Sequence, residues 1–217
     1  VQEARRRKLL PAGEADRRRA VVLLEEAEAE AGAGRPDEAI RRARQALRRA
    51  PELTAAAAMA ARLLAERGRR REAERLLERA WTLRPHPELA GLYLSFRPEA
   101  TAAERVALAK RLTGGQPDHP ETRLAVAEAA LEAQLWAEAA AALEPLEADP
   151  PDARVALAAA RLAEGEGSFE PAADWRRRAS ELPAPPQWIC GQCGQAHQRW
   201  RPRCSACTAF DSLAWKA

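Results

Sequence analysis

Apolar residues recur along this chain at helical rather than alternating spacing. Leu63 and Leu64, then Leu76, Leu77 and Leu83, mark faces that amphipathic helices bury between them, so all five are expected in an inter-helix core. A longer period overlies the helical one. Gly34 and Gly68, Ala39 and Ala73, Ala46 and Ala80, and Pro51 and Pro85 are each separated by 34 residues, within GRPDEAIRRARQALRRAP and GRRREAERLLERAWTLRP. A unit of this size fits two antiparallel helices. Glycine closes the first, small alanines let the pair approach closely, and proline stops the second.

This is the tetratricopeptide period. Pro117 and Pro151 extend its register, and Trp136 to Ala139 take the places of Pro36 to Ala39. Between Pro85 and Pro117 the spacing shortens to 32 and the Gly/Ala signature decays, although helices are still expected near 87–96 and 100–113. A fifth pair is expected near 152–164 and 170–181, where Ala172 and Ala179 repeat the spacing of Ala39 and Ala46. The predicted fold is therefore all-α: a right-handed α-solenoid of about five tetratricopeptide-like helix pairs, followed by a small carboxyl-terminal ribbon. Trp81, Trp136 and Trp175 are expected to anchor packing between repeats.

Composition agrees with helices and argues against an enzyme. The 217 residues are 47% hydrophobic but 5% aromatic, so apolar area comes mainly from Ala and Leu and a β-rich fold is disfavoured. With three His, one Tyr and none of the G-x-S-x-G, H-E-x-x-H or phosphate-loop motifs, the groups for acid–base or nucleophilic work are scarce. Neither catalysis nor a small-molecule substrate is expected. No stretch approaches the ~20 apolar residues that span a bilayer.

The net charge of +3 conceals a strong asymmetry. Residues 1–111 carry 25 basic and 17 acidic side chains, a net +8; residues 112–183 carry −8 and residues 184–217 carry +3. The amino-terminal excess is expected to face an anionic membrane surface or an acidic partner. The runs Arg5 to Arg7, Arg17 to Arg19, Arg69 to Arg71 and Arg176 to Arg178 have no aromatic interleaving, so they are read as solvated helix faces and not as a nucleic-acid contact.

Chemistry concentrates at the carboxyl end. The segment Pro183 to Pro186 cannot continue a helix, and beyond it Cys190-x-x-Cys193 and Cys204-x-x-Cys207 are separated by ten residues. Two residues between thiolates let one tight turn aim both sulfurs at a metal while its own amides bond to sulfur. The chain thus divides into a helical-repeat domain over 1–182, a linker over 183–187 and a four-cysteine metal-binding ribbon over 188–217. A tetrathiolate site leaves no open coordination position, so a structural metal is expected: zinc, with iron in a rubredoxin-like site as the alternative. Metal binding supplies the folding energy so short a segment lacks, and the repeats are expected to keep their helicity without it. Gly194 follows the first pair, and Thr208 stands in the equivalent place after the second. His197, between the pairs, is expected at the surface.

Two further residue sets are candidates. In the tetratricopeptide register the first helix of each pair faces the groove, which assigns partner contacts to Arg62 and Glu66 in the second repeat and to Leu124, Glu128 and Glu132 in the fourth. His86 and His119 each precede Pro-Glu; they read either as haem ligands or, preferably, as residues just ahead of helices whose first position is proline.

Trp81 with Pro85 to Ala90 (PHPELA), the run HPETRLAVAEAALEAQLWAEAAAALEPL, and the ending W-x-C-x-x-C, W-x-P-x-C-x-x-C, FDSLAW together resemble the carboxyl-terminal part of the HemY family of proteobacterial tetratricopeptide proteins, especially its alphaproteobacterial members. The ribbon also looks like the rubredoxin-type module that ends LapB, where it packs against the repeats. The resemblance implies an inner-membrane protein anchored by an amino-terminal segment, with these repeats on the cytoplasmic side, and a link to haem biosynthesis. The expected function is a non-enzymatic scaffold for haem-biosynthesis or envelope proteins, with a haem or porphyrin carrier as the alternative.

Overall fold

A computed structural model describes residues 11–216 as ten α-helices followed by a three-stranded sheet. The helices are α1 (Ala12–Gly32), α2 (Pro36–Arg49), α3 (Thr54–Glu66), α4 (Arg70–Leu83), α5 (Pro87–Ser95), α6 (Ala102–Thr113), α7 (Pro120–Glu132), α8 (Trp136–Glu147), α9 (Ala153–Gly165) and α10 (Phe169–Glu181). They pack as five consecutive pairs, including the degenerate third pair α5–α6 and the fifth pair α9–α10. None of the described helices is long and apolar enough to cross a membrane. The run Arg5 to Arg7 lies outside the described residues.

Local chemistry accounts for the helix ends. Proline opens α2, α5 and α7, where its missing N–H costs no intrahelical bond. Thr101 and Glu104 form a reciprocal capping box at α6, and the Asp152 carboxylate caps α9 through the Arg154 amide at 2.8 Å. The first helix of four pairs ends alike: Gly34, Gly68, Gln134 and Gly167 all have φ between 56° and 78°. In each case the next amide bonds back to the carbonyl five residues earlier, as Arg69 does to Leu64 at 2.8 Å. The 34-residue alanines are the small residues of the inter-helix seams, with Ala39, Ala46 and Ala73 fully buried.

The chain forms two compact units that cut it differently from its sequence modules. One comprises residues 11–84 together with 187–216; the other is Pro85–Pro186. In the second unit Val106, Leu124, Leu131, Leu143, Val155 and Leu162 form the core, and the Pro183 carbonyl accepts the Ala153 amide at 3.0 Å, tying the linker to the start of α9.

In the first unit the ribbon and the helices share one core. Strands β1 (Gln187–Cys190), β2 (Ala196–His197) and β3 (Leu213–Lys216) form an antiparallel sheet in the order β2-β1-β3, with Trp188 opposite both His197 and Trp215. Trp188, Trp200 and Leu213 pack with Val21 and Leu24 of α1, with Leu53 just ahead of α3 and with Ala56 and Ala60 of α3. The rings of Trp188 and Trp215 meet edge to face at 5.3 Å. Leu83 departs from the expected core. Ala73, Leu77, Ala80 and Trp81 form the buried face of α4, and Leu76 and Leu83 lie one position to its side, which leaves Leu83 58% exposed.

Candidate metal centre

Each cysteine pair sits on a turn of the same construction. After the first pair Gly194 donates its amide to the Cys190 carbonyl at 2.9 Å, and Cys190 donates to the Gln195 carbonyl at 2.9 Å. After the second, Thr208 donates to the Cys204 carbonyl at 2.9 Å and Cys204 to the Ala209 carbonyl at 3.0 Å. Gly194 has φ 75° and Thr208 φ 60°, so a β-branched residue occupies a left-handed position that favours glycine.

These turns bring all four sulfurs within 4.8 Å of one another, with Cys190–Cys207 and Cys193–Cys204 each at 3.7 Å. Four thiolates at ~2.3 Å from one tetrahedral ion would lie ~3.8 Å apart, so the cluster can hold a metal ion. Cys190 and Cys204 are buried, whereas Cys193 is exposed.

The surroundings favour thiolate on two of the four. The Ser212 hydroxyl, 3.3 Å from its sulfur, leads in drawing Cys190 down to about 6, with backbone amides assisting against burial. Backbone amides of Cys207 and Ala206 likewise lower Cys204. Cys207 gains from the Ala209 amide, but burial and the three neighbouring sulfurs outweigh that and push it up to about 12. Against the Gln195 amide and the Cys207 sulfur, burial and the sulfurs of Cys190 and Cys204 raise Cys193. A divalent cation at the centre would remove this conflict by accepting all four sulfurs.

Two residues join the site that spacing alone does not reveal. His197, expected at the surface, is only partly exposed and places Nε2 3.4 Å from the Cys204 sulfur. Ser212 reaches Cys190 from across the sheet, where β1 pairs Cys190 with Leu213. Both approaches depend on strand pairing, and no motif in the chain signals them.

The ribbon is also fastened electrostatically. Arg17 of α1 makes two hydrogen bonds to Asp211, and Arg203 bonds Glu25 at 3.1 Å while stacking over Phe210. Glu28 is raised by burial and by Glu25, and Arg201 opposes this. Arg201 and Arg203 of the ribbon thus face Glu28 and Glu25 of α1.

The other candidates belong to the helices. Arg62 and Glu66 are exposed on α3. Leu124 corrects its assignment to a partner groove: with Ala127 and Leu131 it forms a stripe of α7 that packs into the second unit's core, and it is 4% exposed. Glu128 pairs with Arg161, and Glu132 with Arg105 at 3.4 Å. His86 and His119 cap α5 and α7, each accepting the amide two residues on through Nδ1 at 3.2 and 3.1 Å. Capping therefore employs Nδ1 of both imidazoles, and His86 is 2% exposed with its Nε2 buried.

Paired helices and a tetracysteine cluster define a helical-repeat protein with a four-cysteine ribbon that could hold a metal ion. Residues 30–94 match the family model described as tetratricopeptide repeat. The chain is 32% identical over 199 residues to the probable magnetosome protein Mms48 of Magnetospirillum gryphiswaldense, a match covering 89% of this chain and 44% of that protein. The chain therefore spans less than half the length of this relative. Among solved structures it is similar to the MamA protein, with TM-score 0.45 and 15% identity over 75% of this chain and 90% of that one. A similar likeness holds for TTC0263, a tetratricopeptide protein of Thermus thermophilus, with TM-score 0.46 and 18% identity over 75% and 91% of the two chains.

Proposed function

We propose that this chain is a non-enzymatic scaffold for protein–protein interaction whose first repeats are locked by a zinc-bound ribbon. The observation that carries the reading is the helix-pair array with its tetratricopeptide match over residues 30–94, because stacked repeats create extended surfaces that hold partner segments. Exposed Arg62 and Glu66 on α3 belong to such a surface, on the first helix of a pair. Zinc is the proposed occupant of the cysteine cluster, in a structural role: all four ligands come from the protein, which leaves the ion nothing to activate. The HemY-like residues Pro85 to Ala90 and Phe210 to Trp215 support placing this scaffold at the inner membrane, on its cytoplasmic side, among proteins of haem biosynthesis or the envelope.

Photo-crosslinking amino acids at positions 62 and 66 of the protein in its native cell test the scaffold. Crosslinks to a discrete protein at these sites support it; their absence from both sites under conditions where the protein is intact overturns it. Metal analysis of the purified protein distinguishes one equivalent of zinc from the coloured iron tetrathiolate.

A further inference from the structure

A second surface lies on α2 and α4, the second helices of the first two pairs. Between them runs a groove of about 830 Å3 with Leu47, Leu76 and the 58%-exposed Leu83 among its lining residues. Exposed apolar side chains of this size are few among the described residues, and an open leucine at a groove is a place where burial is still to be gained.

Basic side chains rim this apolar floor. Arg71, Arg75 and Arg79 follow one another at four-residue steps on one side of α4, and Arg44 and Arg48 stand on α2. Glu72 is the one acidic residue of the lining, and it is held by Arg44 and Arg69, whose guanidinium groups lower it. Among the described residues Arg48, Arg71, Arg75 and Arg79 make no ion pair. Four guanidinium groups on one rim beside the exposed Leu83 make a local positive field that a ligand of opposite charge would meet.

We infer that this groove docks an acidic amphipathic helix of a partner protein, with its apolar side chains on the leucines and its carboxylates paired to the α4 arginines. Arg71 to Leu83 spans ~18 Å along the helix, so about three turns of ligand helix match it. The concavity and its apolar floor favour a helix over a flat anionic membrane, which could reach the arginines but not fill the groove. The inference rests on the scaffold reading and adds a surface and a partner chemistry to it.

The test uses the whole chain and a labelled synthetic helix of about four turns carrying Leu at 3–4 spacing and Glu elsewhere, titrated by fluorescence anisotropy. Binding is expected to weaken as NaCl rises from about 50 to 500 mM. It should fall about tenfold or more in R71E/R75E/R79E and also in Leu83→Ser, both exposed changes whose helicity is checked by circular dichroism. A matching peptide with Lys for Glu, or with Ser for Leu, should not bind. Equal binding of the Lys peptide, or an unchanged affinity in both variants, overturns the proposal. So does arginine-dependent flotation with phosphatidylglycerol vesicles in the absence of peptide binding, which would reassign the surface to a membrane. If the peptide fails while crosslinks at positions 62 and 66 persist, the groove is refuted and the scaffold stands; if both fail, the scaffold falls as well.

Discussion

Arg17 and Asp211, 194 residues apart, are joined by two hydrogen bonds, Nε to Oδ2 at 3.0 Å and Nη2 to Oδ1 at 2.9 Å. The Asp211 side chain is 6% exposed and that of Arg17 is 31% exposed, so removing the arginine strands a nearly buried carboxylate. Arg17→Met should therefore destabilise the first unit by about 1–3 kcal/mol, between the ~1 kcal/mol of an exposed pair and the ~3–5 kcal/mol of breaking a buried one, because Arg17 keeps some water. In Arg17→Met/Asp211→Asn much of that loss should return. Urea unfolding followed by tryptophan fluorescence measures both; an additive double variant would show that the pair does not couple ribbon to helix.

Removal of the metal should reach beyond the ribbon. Trp188, Trp200 and Leu213 share a core with Val21 and Leu24, so the ordering that a metal in the cysteine cluster would supply, on the order of 10 kcal/mol in comparable peptides, would be passed to α1 and α3. Cys204→Ser, or a strong chelator, should abolish stoichiometric metal binding, raise proteolysis after Pro186 and speed amide exchange in α1 and α3. Exchange in α7 to α9, within the other compact unit, should remain unchanged. Equal acceleration everywhere, or nowhere, would contradict this division.

The helix pairs were legible because their seams use the same small residues at the same period: Ala39, Ala46 and Ala73 are wholly buried. The cysteine cluster was legible from spacing, since a tight turn fixes two sulfurs locally. The ribbon's docking on α1 was not, because it depends on Arg17, Glu25 and Val21 meeting residues about 180 positions away, and no period encodes that. Leu124 was misplaced for a different reason. A residue's place on the first helix of a pair does not tell which face it takes: Leu124 falls on the packed stripe of Ala127 and Leu131, as the matching Ala58 of α3 is also buried. His197 and Ser212 approach sulfur only once strands pair.

Two non-glycine residues hold left-handed backbone where sister positions use glycine. Gln134, φ 56°, stands where Gly34, Gly68 and Gly167 end their helices, and Thr208, φ 60°, where Gly194 ends the first knuckle. Gln134→Gly should raise stability by about 0.5–1 kcal/mol, and Thr208→Gly by at least as much because β-branching adds crowding. Gly68→Gln should cost a comparable amount. Thermal or urea denaturation reads all three, and a destabilised Gln134→Gly would show that side-chain contacts of Gln134 outweigh its backbone strain.

The last turn of α9 supplies a case where helix propensity and packing have opposite signs. Alanine is ordinarily favoured over glycine inside a helix by about 1 kcal/mol. At Gly165, however, an added Cβ would lie 2.4 Å from Cη2 and 2.5 Å from Cζ3 of Trp136, a half-buried ring at the start of α8 that cannot yield without leaving the core it flanks. Overpacking of this kind costs about 1–3 kcal/mol, so Gly165→Ala should destabilise the second unit. With Trp136→Leu the obstructing atoms are gone, and the same Gly165→Ala change should then stabilise. Urea unfolding of the two singles and the double variant measures the reversal. An unchanged sign in the Trp136→Leu background would mean that Gly165 is set by its place near the helix end and not by the ring above it.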